Sequence, residues 1–233
     1  MIIKKIAKKV FGLLPDKITK NYQYIQIIRK SEADKSAKKY IIQEWIDSGK
    51  PVPAPNFIKQ DILAAIQKQF KCDTLIETGT YIGDMIENQK GNFSNIYSIE
   101  LSEFLFRKAV KRFKNYRHIT IIQGDSGETI PQLLTQIEGS VMFWLDGHYS
   151  TGLTAMGNKE CPIFEELNGI FSSKLKLEKV VVLIDDARLF IGENDYPTIE
   201  ELKKFIGDFF DIFTLEMECD IIKIYGLTSI NHG

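Results

Sequence analysis

Apolar positions along this chain follow two different periods. In five short stretches, residues 74–77, 96–100, 119–123, 141–145 and 180–184, most apolar residues run on without alternation. Runs of that length between polar flanks read as buried strands. Between them, over residues 82–89, 103–113, 127–137 and 162–172, apolar residues recur every three to four positions, which predicts helices. Strands with no polar face, alternating with helices, imply a parallel sheet covered on both sides. The last part of the chain changes pattern. Residues 198–210 predict a helix with Thr198 as its cap and Glu200 and Glu201 in its first turn, where the helix dipole favours acids. Residues 212–218 and 221–225 then read as two strands split only by Cys219 and Asp220. A connection that short fits only an antiparallel hairpin. The predicted fold class is α/β: a doubly wound sheet of seven strands, mostly parallel, closed by a C-terminal antiparallel hairpin.

Upstream of the sheet the pattern is helical. Residues 56–70 predict a helix capped by Asn56, with Phe57, Ile58, Ile62, Ala65, Ile66 and Phe70 inward. The stretch Asp47-Ser-Gly-Lys-Pro-Val-Pro-Ala-Pro55 is the strongest break, because its three prolines forbid helix and favour an extended crossing. It divides the chain into an N-terminal helical extension, residues 1–55, and a main domain, residues 56–233. Residues 16–50 read as helix, with Tyr22, Ile25, Ile28, Tyr40, Ile41 and Trp45 as anchors. In residues 2–14, Ile2, Ile3, Ile6, Val10, Leu13 and Leu14 share one helical face and four lysines lie opposite. Such a helix fits peripheral contact with a membrane surface; the plainer reading is docking on its own domain or on a second subunit in a homo-oligomer.

Charge sharpens the division. The first 50 residues hold 12 Lys or Arg against 5 Asp or Glu, whereas the whole chain of 233 residues has a net charge of -1. The balance does not point to nucleic acid as a partner. Three widely spaced cysteines, Cys72, Cys161 and Cys219, form neither a disulfide framework nor a metal-ligand spacing. They fit a reducing compartment, and the expected location is cytoplasmic, with the membrane surface as an extension of it. No apolar run reaches the roughly 20 residues needed to span a bilayer. Lys8 and Lys9 interrupt any apolar core of a signal peptide.

The candidate chemistry lies where the predicted strands end. In an open parallel sheet, ligands bind outside the carboxyl ends of the strands. Here the first strand ends at Glu77, the second at Glu100, the third at Gly124-Asp125, the fourth at Asp146 and the fifth at Asp185-Asp186. Each strand thus delivers a carboxylate to one rim. After the first strand comes Glu77-Thr-Gly-Thr-Tyr-Ile-Gly83, a Gly-containing turn that lets backbone approach a ligand closely. Glu100 is placed to accept hydrogen bonds from two ribose hydroxyls, or to cap the helix that follows. Asp125 and Ser126 suit contact with a base ring, or capping. Asp146, Asp185 and Asp186 would repel one another unless a proton or cation sits among them. Oxygen donors without cysteine suit Mg²⁺, Ca²⁺ or Mn²⁺; the competing reading has one aspartate capping a helix and another pairing with Arg188. His148, two residues past Asp146, is the candidate base, with a surface or structural histidine as the competing reading. Residues 151–158, with two glycines, read as a mobile loop or lid beside the site, and Tyr149, Arg188 and Tyr196 as lining of an acceptor pocket.

The 77–83 motif, the strand order and the terminal hairpin resemble those of class I S-adenosylmethionine-dependent methyltransferases, which share a Rossmann-like sheet. The variant with Tyr81 in place of a third glycine, together with Gly124-Asp125-Ser126, is similar to the catechol-type and macrocin-type metal-dependent O-methyltransferases. The resemblance covers roughly residues 56–227. It implies methyl transfer from S-adenosylmethionine to a hydroxyl of a small-molecule or glycan acceptor. It also implies that Glu77, Gly79, Thr80, Tyr81 and Gly83 hold the methionine end, Glu100 the ribose, and Asp125 with Ser126 the adenine. Asp146, Asp185 and Asp186 would hold a divalent cation, Mg²⁺ first among them. One departure stands out: the catechol-type enzymes carry a lysine where this chain has Tyr149, so His148 takes the role of base. Two rival readings remain, a nucleotide- or NAD-binding oxidoreductase and a non-catalytic binding domain with the same fold.

Overall fold

The computed structural model of the protein describes residues 35–147 and 161–229. The basic stretch at 2–14, residues 16–34 of the helix expected over 16–50, His148, Tyr149 and the loop at 151–158 lie outside the described residues. The described residues fall into two compact units with the border between Pro51 and Val52. The first holds helix α1 (Lys35–Asp47). Trp45 Nε1 donates to the Pro51 carbonyl at 2.7 Å just past its end. Tyr40, expected to anchor this helix, is exposed.

The second unit contains the sheet. In chain order it runs α2 (Asn56–Phe70), β1 (Thr74–Thr78), α3 (Asp84–Gln89), β2 (Asn95–Glu100), α4 (Glu103–Phe113) and β3 (Ile119–Gln123). It continues with α5 (Ser126–Leu134), β4 (Val141–Leu145), α6 (Ile163–Phe171), β5 (Val180–Ile184), α7 (Ile199–Gly207), β6 (Ile212–Glu218) and β7 (Ile221–Thr228). The seven strands are ordered β3-β2-β1-β4-β5-β7-β6. Strands β1 to β5 are mutually parallel, and β7 runs antiparallel to both β5 and β6. The predicted α/β class and seven-strand order of elements are observed.

Burial explains why the strands read as unbroken apolar runs. All five residues of β1, β4 and β5 are buried. Alternate residues feed two cores. Ile76, Phe143, Leu145, Val182 and Ile184 meet Ile130 of α5, Leu167 and Ile170 of α6 and Leu202 of α7. On the other face Leu75, Met142, Trp144, Val181 and Leu183 meet Leu63 and Ile66 of α2, Ile86 of α3 and Phe113 of α4. Each such side chain contributes about 1.5–3 kcal/mol from removal of apolar surface from water. The hairpin turn Cys219-Asp220 has φ of 50° and 69°, the two positive values that a tight two-residue turn with native strand twist requires. Thr198 and Glu201 form a reciprocal capping box at the start of α7.

Two details of α2 differ from expectation. Pro55, not Asn56, occupies the cap position, without a side-chain bond; Asn56 is the first helical residue. The buried positions are Phe57, Lys59, Leu63 and Ile66, while Ala65 is exposed. The inward stripe is therefore turned toward Leu63, and it carries a lysine.

Candidate active site

The parallel register brings the expected carboxylates to one rim. Thr78 pairs with Leu145, so the first residue after each strand, Gly79 and Asp146, are neighbours. Leu145 pairs with Ile184, which sets Asp146 beside Asp185. Glu77 and Ser98 are directly opposed on β1 and β2. Glu77, Glu100, Asp146, Asp185 and Asp186 thus converge on the carboxyl edge of the sheet, as their spacing predicts.

The 79–83 turn is locked from three sides. Gly79 has φ of 77°, and a Cβ there would lie 2.3 Å from the Asp146 carbonyl oxygen. Only a residue without a side chain lets the β1 and β4 ends approach this closely. Tyr81, at the position of the absent third glycine, still adopts a left-handed φ of 49°. Its amide donates to Glu100 Oε2 at 2.7 Å, and the Ser102 amide donates to Oε1 at 2.8 Å. Those bonds favour the charged carboxylate, although burial outweighs them and raises its pKa. On the far side, Arg112 of α4 donates to the Ile82 carbonyl and pairs with Asp84 at 3.3 Å.

Behind the turn, the Thr80 and Ser98 hydroxyls are 2.6 Å apart and Ser98 hydrogen-bonds Glu77. Glu77 is 2% exposed. Burial pushes its carboxyl up to about 8, Ser98 opposes this, and the nearby Glu100 and Asp84 add to it. Asp125 caps α5, its side chain accepting from the Gly127 amide at 2.9 Å. Ser126 opens that helix and is buried.

The acidic group at β5 closes differently from expectation. Among the described residues, Asp185, Asp186 and Asp220 bring carboxylate oxygens within 4.8 Å of one another, with Asp220 standing where the sequence pointed to Asp146. Asp146 is adjacent, and burial followed by repulsion from Asp185 and Asp186 raises its pKa well above the usual range. Lys59 reaches into the group from α2: Nζ pairs with Asp185, with Asp186 at 3.3 Å and with Asp220 at 4.0 Å. Arg188 pairs with Asp186 at 2.7 Å and with Asp220. Burial works against ionisation of Asp186, yet Arg188 and Lys59 hold its carboxyl below the usual range. Asp185 is pushed up to about 6 by burial, against the pull of Lys59. A divalent cation needs several oxygens aimed at one point free of other charge. Here an ammonium occupies that point, so the donor set does not fit a metal as it stands.

Three groups escaped the sequence reading. Lys59 had a signal, because 59, 63 and 66 share one helical stripe with two apolar residues. Asp220 had one too: an antiparallel β7 returns its starting turn to the rim at which β5 ends. Glu166 of α6 had none. It is fully buried, and its two carboxylate oxygens and the Thr78 hydroxyl have no hydrogen-bond partner among the described residues. Burial pushes Glu166 up to about 7, moderated by the Ser126 and Thr78 hydroxyls nearby. It lies under the end of β4, for a Cβ on Gly147 would sit 3.2 Å from Glu166 Oε1.

Glu166 has a consequence for stability. Its folded pKa is raised above the ordinary 4.5, so its contribution is fully present below that value and is lost as pH rises to about 7. Glu166→Gln, which cannot ionise, is therefore expected to melt higher than wild type at pH 8, by an amount worth on the order of 3 kcal/mol, and level with it at low pH. Thermal melts across that range check the sign; a variant less stable than wild type at pH 8 would contradict it.

No protein-family model matches the chain, and no curated protein matches it. Solved structures do. The O-methyltransferase TomG from Streptomyces achromogenes, involved in tomaymycin synthesis and solved with S-adenosylmethionine, is 14% identical at a TM-score of 0.56, over 80% of this chain and 87% of its own. The Podospora anserina methyltransferase PaMTH1, bound to S-adenosylhomocysteine, is 14% identical at 0.54, over 96% and 93%. An O-methyltransferase from Bacillus cereus in complex with S-adenosylhomocysteine is 12% identical at 0.53, over 80% and 88%. The chain therefore shares the Rossmann-like fold of these solved methyltransferases.

Proposed function

We propose that the protein transfers a methyl group from S-adenosylmethionine to a hydroxyl oxygen of a small-molecule or glycan acceptor. The observation that carries this reading is the 79–83 turn tied to Glu100, facing a rim of aspartates across the Gly79–Asp146 contact. When bound, S-adenosylmethionine supplies an electrophilic methyl on a sulfonium. Glu100 has lone pairs left for the ribose hydroxyls after accepting two amides. The turn, with Gly79, Thr80, Tyr81 and Gly83, holds the methionine end. Glu77, kept protonated at neutral pH by burial, gains a reason to ionise when a cationic ligand arrives. Asp125 has one carboxylate oxygen engaged in the cap, and Ser126 lies beside it, for the adenine.

The acceptor side is formed by Asp146 and the Asp185–Asp186 pair. His148 is assigned as the base, and Asp146 as the group that orients it or the acceptor hydroxyl, both from their sequence positions. Most of the rate enhancement then comes from aligning oxygen, methyl and sulfur in one line. Lys59 holds the position that a metal ion would need.

Two experiments test the reading. Calorimetry should give micromolar binding of S-adenosylmethionine and none of NAD; the reverse pattern would favour the oxidoreductase. Incubation with methyl-labelled S-adenosylmethionine and a panel of sugars, nucleotide sugars and phenols should label at least one hydroxyl. Tight binding with no transfer to any acceptor would favour the non-catalytic binding domain.

A further inference from the structure

We propose that the Lys59 ammonium is a built-in substitute for a divalent cation at the acceptor end of the rim. The side chain is 6% exposed and touches three carboxylates that come from two separate loops. An oxygen cluster of that kind collapses or binds a cation unless a fixed positive charge holds it together. Lys59 provides that charge from α2, a helix that precedes the sheet and belongs to neither loop.

The geometry separates this role from an ordinary ion pair. An exposed lysine would pair with one acid and leave the rest to water. Lys59 instead reaches Asp185, Asp186 and, at 4.0 Å, Asp220, sharing Asp186 Oδ1 and Asp220 Oδ2 with the group's other cation, Arg188. Asp185 is thus held by Lys59 alone of the two, and Asp185 is the member that adjoins Asp146 through the β4–β5 register. Lys59 acts as a positioning residue: it fixes Asp185, and through it the place of Asp146. The inference concerns the same rim as the proposed methyl transfer but is read out by cation binding, so its failure leaves that reading standing.

The test is electron paramagnetic resonance titration of the full chain with Mn²⁺, with thermal melts in EDTA and in Mg²⁺. Wild type is expected to bind Mn²⁺ no tighter than about 1 mM, with a melting temperature indifferent to chelator. Lys59→Met removes the charge and keeps the volume. It is expected to bind Mn²⁺ at least about tenfold tighter than wild type and to gain melting temperature from Mn²⁺. Lys59→Met combined with Asp185→Asn restores the balance of charge and should lose that gain. Micromolar Mn²⁺ binding by wild type would overturn the proposal, and this result stands even if Lys59→Met does not fold. Lys59→Met that folds without any gain in Mn²⁺ affinity would overturn it as well.

Discussion

Glu100→Ala is expected to weaken S-adenosylmethionine binding at least about a hundredfold while leaving the sheet intact. The carboxylate accepts the Tyr81 amide at 2.7 Å and the Ser102 amide at 2.8 Å, and it is 4% exposed. Hydrogen bonds to a charged acceptor contribute about 1.5–3 kcal/mol each. Alanine strands both amides and frees Tyr81 from the left-handed φ of 49° that the bond helps to hold. It also removes the proposed acceptor for two ribose hydroxyls. A loss near 3 kcal/mol corresponds to roughly 150-fold in affinity. Glu100→Gln keeps one acceptor oxygen and should fall between the two. Calorimetry measures the affinities and far-UV circular dichroism the fold; an alanine variant that binds as wild type would remove Glu100 from the site.

Gly79→Ala is expected to lower the melting temperature by about 6–12 °C, the equivalent of roughly 3 kcal/mol in a chain of this size. Two costs add. A left-handed φ of 77° disfavours any Cβ by about 1–2 kcal/mol, and this Cβ would meet the Asp146 carbonyl oxygen at 2.3 Å. That oxygen is backbone and cannot swing away, so the β1 and β4 ends must separate. Binding should be lost with stability, because the separated ends are the floor of the proposed cofactor site. Gly207→Ala is the control: nothing lies within 4 Å of its added Cβ. It should leave the melting temperature unchanged or slightly raised. Equal melting temperatures for the two variants would show that the turn tolerates a side chain.

The sheet and its rim were legible because a buried parallel strand cannot hide its composition. Residues 141–145 and 180–184 have no polar position to give, and both are buried throughout. The carboxylates that follow them were legible for the same reason: they are the first polar residues after an apolar run. What stayed hidden were partners supplied by elements distant in sequence. Lys59 reads as one lysine of a helix until α2 is placed against the ends of β5, a placement that the chain spacing does not fix. Arg112 reads as the basic end of α4, where a helix dipole favours it, and its bond to the Ile82 carbonyl depends on how α4 returns over the turn. Glu166 sits in an acidic first turn of α6, and nothing in that pattern distinguishes it from exposed Glu165. Of the two readings offered for Asp125, cap and cofactor contact, the cap is observed, and its bond uses one of the two carboxylate oxygens.

A crystal structure of the full chain grown with S-adenosylhomocysteine is the most direct measurement. The predicted result is a nucleoside lying across the ends of β1 and β2, both ribose hydroxyls within hydrogen-bond distance of Glu100, and the amino-acid end resting on residues 79–83. A nucleoside bound elsewhere, with Glu100 contacting only its two amides, would contradict the assignment of this rim as a methyl-donor site.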